Sequence, residues 1–153
     1  MKTKKDFDGF TIVELLIGIV VIGILAALVL NSFQGVQVRS RDTKRKTDQN
    51  AMSTQLEVYY NDNGGYPIVT AQLNTDTWIT TNLKGASLDA FRAPGQNSNT
   101  ISSTATPTIS QYGYTPLQSD GTTACTTAPC AKFTLYYKEE QGSGATRSKN
   151  SLN

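Results

Sequence analysis

The sequence predicts an α+β fold in which one long N-terminal helix precedes a small head built on a short antiparallel sheet. Three observations carry this reading. Of the 58 apolar residues among 153, 17 fall within the 21 residues from Phe10 to Leu30. Apolar side chains return at Met52, Leu56, Tyr59 and Tyr60, the i, i+4, i+7, i+8 spacing of one helical face, just before a Gly-Gly-Tyr-Pro stop. Near the C-terminus, Phe133, Leu135 and Tyr137 alternate with Thr134, Tyr136 and Lys138, the period of a half-buried strand.

Composition narrows the function. Outside the apolar stretch only about 31% of residues are apolar, thin for an independently packed domain. Zero histidines remove the usual general base at neutral pH and the commonest metal ligand, and two cysteines alone cannot build a zinc site. No phosphate loop, catalytic triad or pocketed carboxylate pair is legible, so no enzyme and no cofactor is expected. A net charge of +2 is too mild to argue for nucleic acid.

The first element, Phe10 to Leu30, reads FTIVELLIGIVVIGILAALVL. As a helix its 21 residues reach about 31 Å, close to the hydrocarbon thickness of a bilayer. Charge counting leaves its orientation open: Lys2, Lys4 and Lys5 precede it with Asp6 and Asp8, whereas Arg39, Arg41, Lys44, Arg45 and Lys46 follow it. A cleaved signal peptide would have a shorter apolar region and an A-x-A site. An uncleaved signal anchor fits the length but has no use for Glu14, since an ionisable group within an apolar span is costly and needs a proton or a cationic partner. Cleavage after Gly9 would create such a partner, an α-amino group at Phe10 one helical turn from Glu14.

Gly9-Phe10-Thr11-Ile12-Val13-Glu14-Leu15-Leu16, with the later run Gly23 to Ala27, resembles the class III signal of type IV pilins and type II secretion pseudopilins. The resemblance implies that a prepilin peptidase cuts on the cytoplasmic side between Gly9 and Phe10 and that Phe10 is N-methylated. It also implies that Glu14 pairs with the amino terminus of an adjacent subunit and sets the register of a helical filament, with the leader inside and the rest exported. Two departures stand out: the leader carries only +1, and Asn31 stands where many members have a helix-breaking proline.

The next segment, residues 39–50, reads RSRDTKRKTDQN and has no apolar side chain. It is expected to be a solvated helical stretch, with Asp42 paired to Arg45 or Lys46. Sharper readings of the same charges are attraction to lipid phosphates and binding of DNA along a filament. Glycines 64 and 65 and Pro67 then end the helix. LEVYYNDNGGYP, residues 56–67, resembles the end of the long helix in many pseudopilins and Gram-positive-type pilins.

In the head, Trp78, Ile79, Leu83 and Leu88 are read as a short helix or ordered loop on the long helix, and Tyr112 and Tyr114 flank Gly113 in a strand. The family resemblance implies the same type IV pilin-like plan, a helical spine, a variable loop and a short sheet. Cys125 and Cys130 enclose four residues; in an exported head a disulfide is expected, with free thiols as the alternative. Asp76, Asp89 and Asp120 lack the clustered spacing of a calcium loop and are read as hydrated surface groups.

The expected organisation is therefore a leader at 1–9, a membrane and assembly helix at 10–30, the soluble half of the spine at 31–63, a head at 64–140 and a flexible tail at 141–153. The function expected from the resemblance is a pilus or pilus-like filament subunit, for motility, adhesion or DNA uptake. A secretion pseudopilin and a monomeric anchored surface protein are the alternatives. Its partners would be copies of itself or other pilins, prepilin peptidase, an assembly platform with its ATPase, membrane lipid before assembly, and DNA. It would reside in the cytoplasmic membrane, head outside, and then in a surface filament.

Overall fold

The computed structural model describes residues 9–68 and 70–153. Most of the leader, residues 1–8, lies outside the described residues. The chain divides into two compact units, residues 1–37 and 38–153, and a single helix, α1 (Ile12–Asn63), contributes to both. α1 is helical through Asn31, where no proline interrupts its hydrogen-bond ladder.

In the N-terminal unit α1 is apolar on every side. From Ile12 to Val29, and again at Phe33 and Val36, each large apolar side chain is about half exposed or more. A helix of this kind needs lipid or other helices as cover.

In the second unit the remainder of α1 is followed by α2 (Thr70–Leu73), α3 (Asp76–Asn82) and a 3₁₀ turn (Leu88–Phe91). Four strands complete it: β1 (Ile101–Ser102), β2 (Tyr112–Leu117), β3 (Lys132–Lys138) and β4 (Thr146–Asn150), in the order β1-β2-β3-β4. Met52 and Leu56 of α1, Leu73, Ile79, Leu83 and Phe91 of the connecting segment, and Tyr112, Tyr114, Phe133 and Leu135 of the sheet form the core. The tyrosines are buried with their hydroxyls satisfied: Tyr112 donates to Asp48 at 2.6 Å and Tyr114 to the Pro67 carbonyl at 2.6 Å.

Two expectations are corrected here. The sheet is mixed, because the two-residue β1 runs parallel to β2 at Tyr112 and Gly113 while the other pairs are antiparallel. Residues 141–153 are not a mobile tail. Thr146–Asn150 pair with Thr134–Lys138 of β3, the Lys149 ammonium donates to Asn50 of α1 at 2.8 Å, and the Leu152 amide donates to Glu57 at 3.0 Å. A strand reading TRSKN has no apolar alternation to announce it, and backbone pairing holds it.

β2 depends on two backbone features. Pro116, which has no N–H to give, lies beyond the short reach of β1, where that side of β2 meets the disulfide loop and Pro116 need only accept, taking the Cys125 amide at 2.9 Å on its carbonyl. Gly113 allows the preceding loop to close: a Cβ there would stand 2.2 Å from the Thr104 carbonyl oxygen and 3.0 Å from Tyr136 Cβ. The loop carbonyl is backbone and cannot swing aside. Gly113→Ala is therefore expected to destabilise the head by about 1–3 kcal/mol through overpacking, read as a lower thermal midpoint with unchanged α1 helicity.

The expected disulfide is present between Cys125 and Cys130, with Cα atoms 5.7 Å apart. It places its loop against the end of α1. The Tyr66 amide donates to the Cys130 carbonyl at 2.9 Å, and a Cβ on Gly65 would fall 2.4 Å from Pro129 Cβ.

Candidate functional site: the start of the helix

Gly9 and Phe10 precede α1 in exposed chain outside any helix or strand, and Phe10 is 90% exposed. The next four residues build a reciprocal cap. The Thr11 hydroxyl accepts from the Glu14 amide at 3.2 Å, while Glu14 Oε2 accepts from the Thr11 amide at 2.9 Å and from its hydroxyl at 2.8 Å. This is the capping box, in which a Thr at the helix start and a Glu three residues on satisfy otherwise orphaned amides. Sequence reasoning singled out Glu14 for its charge and missed this second role, although a T-x-x-E ahead of an apolar run is a legible signal.

The geometry combines two demands on one carboxylate. It lies at the helix N-terminus, where the backbone dipole favours negative charge. Both of its bonds go to Oε2, so among the described residues Oε1 accepts no hydrogen bond and is available to a cation. Because Thr11 lies beyond the Gly9–Phe10 junction, a cut at that junction would leave the cap whole.

The basic run behaves differently from expectation. Arg45 is 1% exposed, and Asp48 and Gln49 are buried as well. The Arg41 guanidinium meets Glu140 through Nε at 2.9 Å and Nη2 at 2.6 Å. Arg45 donates to Asp42 at 2.9 Å, to the Ile109 carbonyl at 2.9 Å, and to Glu140. Asp42 in turn accepts the Glu140 and Gln141 amides at 2.9 and 3.0 Å, so of the two partners expected for it, Arg45 is the one chosen. Lys44 lies between Asp48 and Asp89, 2.9 Å from each. The expected solvated face is thus corrected, because carboxylates distant in sequence arrive to pair it. Of the five bases, only Arg39 and Lys46 make no ion pair among the described residues.

The three aspartates set aside as calcium ligands are far from forming one site. Asp89 pairs with Lys44, Asp76 accepts from Arg92 and Asn99, and Asp120 accepts the Thr122 and Thr123 amides of its own turn. The Thr123 hydroxyl and these amides hold the Asp120 carboxyl down to about 2.

Comparison with known proteins places the N-terminal geometry in context. Residues 4–30 match the prokaryotic N-terminal methylation motif. The chain is 36% identical over 64 residues to the type II secretion system core protein G of Aeromonas hydrophila, a match covering 42% of this chain and 45% of that one. The N-terminal part of the chain is thus similar to pilins and pseudopilins and carries their N-terminal methylation motif. It is also 36% identical over 58 residues to the type IV major pilin protein PilA of Myxococcus xanthus, covering 38% and 26% of the two chains. With the fimbrial protein EcpC of Eikenella corrodens it shares 37% over 64 residues, covering 42% of each. The matched stretch therefore spans less than half the length of these relatives. No solved structure matches. The T-x-x-E box lies within the segment that matches the methylation motif.

The cap yields a direct test. Thr11→Ala removes the hydroxyl that accepts the Glu14 amide, and hydrogen exchange in detergent micelles should show faster exchange at that amide, with Thr11→Ser close to the native rate. Equal exchange in all three chains would remove the cap from the account.

Proposed function

We propose that the chain is a structural subunit of a type IV pilus or a related pilus-like filament, assembled through α1 after prepilin peptidase cuts between Gly9 and Phe10. The observation that carries this reading is the pairing of an all-round apolar helix with one capped carboxylate near its start. In lipid the helix is covered but the carboxylate lacks a counter-charge. In a bundle of like helices the apolar cover is retained, and the α-amino group of a neighbour's Phe10, cationic also when methylated, can meet Glu14 Oε1. Transfer from membrane to filament therefore exchanges one apolar environment for another and adds an ion pair.

In this reading the subunit waits in the cytoplasmic membrane with its head outside. An assembly platform, driven indirectly by an ATPase, lifts it into a surface filament. DNA binding is the least supported part, since Arg41, Lys44 and Arg45 are engaged by the head's own acids.

A secretion pseudopilin is the second reading, favoured by the likeness to type II secretion core proteins. Abundant chain in sheared surface fibres supports the pilus, whereas loss of protein secretion on deletion, without surface fibres, supports the pseudopilin.

Mass spectrometry of the mature N-terminus tests processing. The expected product begins at methylated Phe10 and disappears when prepilin peptidase is removed; an intact Met1, or a cut near Ala27, overturns it in favour of a monomeric anchored protein. Glu14→Val is expected to insert into membrane at the normal level yet give no filaments, and normal filaments from it would refute the assembly role.

A further inference from the structure

The head grips α1 by two different means. At Met52 and Leu56 the grip is apolar and complete. Between Arg39 and Asn50 there is no apolar side chain, yet the head covers Arg45, Asp48 and Gln49. That cover consists of the Arg41–Glu140 pair, the Arg45 bonds to Glu140 and the Ile109 carbonyl, the Asp42 bonds to two hairpin amides, the Lys44 ammonium on Asp89, the Tyr112 hydroxyl on Asp48, and Gln49 Nε2 on the Leu135 carbonyl at 2.9 Å.

We infer that residues 39–50 form a detachable segment of α1, held to the head by a charge clasp centred on Glu140 that opens while Met52 and Leu56 stay docked. Burial of apolar surface degrades gradually, but a buried guanidinium is costly to leave short of counter-charge: without Glu140, Arg45 keeps only Asp42 of its own helix as a carboxylate, and Arg41 keeps none, so the seam loses its charged link to the head in one step. Opening frees twelve residues, about 18 Å of helix, between the apolar core of the head and the apolar stretch of α1. The head would then have a joint whose length can change without unfolding. The joint rests on contacts inside the head and stands apart from how the N-terminal helix assembles.

The charged surroundings set how acid acts. Glu140 faces Arg41, Asp42 and Arg45 from α1, with the β3 residue Tyr137 nearby. Glu139 of the same hairpin is occupied with Arg147 at 2.9 Å. Hydrogen bonds from Arg41, and then from Arg45, against partial burial, hold the Glu140 carboxyl below its ordinary value. The clasp is therefore at full strength above the ordinary carboxylate range and is lost as pH falls through the lowered value. Asp48, facing Lys44, Tyr112 and Asp89, is pushed up by burial against its hydrogen bonds; it takes a proton more readily docked than free, so acid opens the seam through Glu140 and not through Asp48.

The test is distance measurement between spin labels in the full chain in lipid nanodiscs. One pair, at the exposed positions Thr47 and Ser143, spans the clasp; a second, at Thr54 and Ser148, spans the apolar grip. At neutral pH both native distributions should be short and narrow. In Glu140→Gln the first pair should shift to a longer, broader distribution with the second unchanged, and Glu139→Gln should move neither. Acid should lengthen the first pair in the native chain and add little in Glu140→Gln. The inference is overturned if the first pair is unmoved by Glu140→Gln, or if both pairs broaden together, which would make the head and this part of α1 one cooperative unit.

Discussion

A helix that is apolar on every side has no stable place in water, and α1 carries such a surface from Ile12 to Val29. That constraint governs the rest. It requires a cover supplied from outside the chain, first lipid and then, in the proposed filament, other helices. It makes Glu14 an exception that calls for an explanation, because a carboxylate within an apolar span is retained only if something rewards it. The capping box supplies part of the explanation inside the subunit. In the proposed filament a neighbour's amino terminus would supply the remainder.

Along the same helix the second unit solves a different problem. With few aliphatic residues, the head adds to its core tyrosines such as Tyr112 and Tyr114, whose rings are buried and whose hydroxyls are bonded, and it ties the Cys125–Cys130 loop to the helix end through the Tyr66 amide. Where aliphatic side chains run out altogether, between Arg39 and Asn50, charge takes over the docking. Charge is a directional and brittle adhesive compared with apolar area, which is why this seam and the Met52–Leu56 grip answer differently to the loss of one partner. The basic run, which in isolation reads as bait for phosphate, is largely spent on the protein's own acids.

Features that depend on near neighbours in the chain were legible in advance. The apolar stretch and its single acid, the stop after Asn63, the alternation of Tyr112 and Tyr114 and of Phe133 to Tyr137, and the close cysteine pair each carry a local pattern. The T-x-x-E cap was equally local and was overlooked because Glu14 was weighed only as a charge. Thr146–Asn150 was illegible because an edge strand held by backbone bonds and capped by polar contacts needs no apolar period. The burial of Arg45 was illegible because its partners, Glu140 and the Ile109 carbonyl, lie 95 and 64 residues away.

The sequence by itself determined the helix, its apolar reach, the placement of one carboxylate near its start, and the strands that alternate, since all of these follow from spacing within a few turns or a few residues. Tertiary structure alone decided which charges are buried, where the last strand goes and which way β1 runs, because each of those depends on the side chain or backbone that a distant segment brings, and no local period records the meeting.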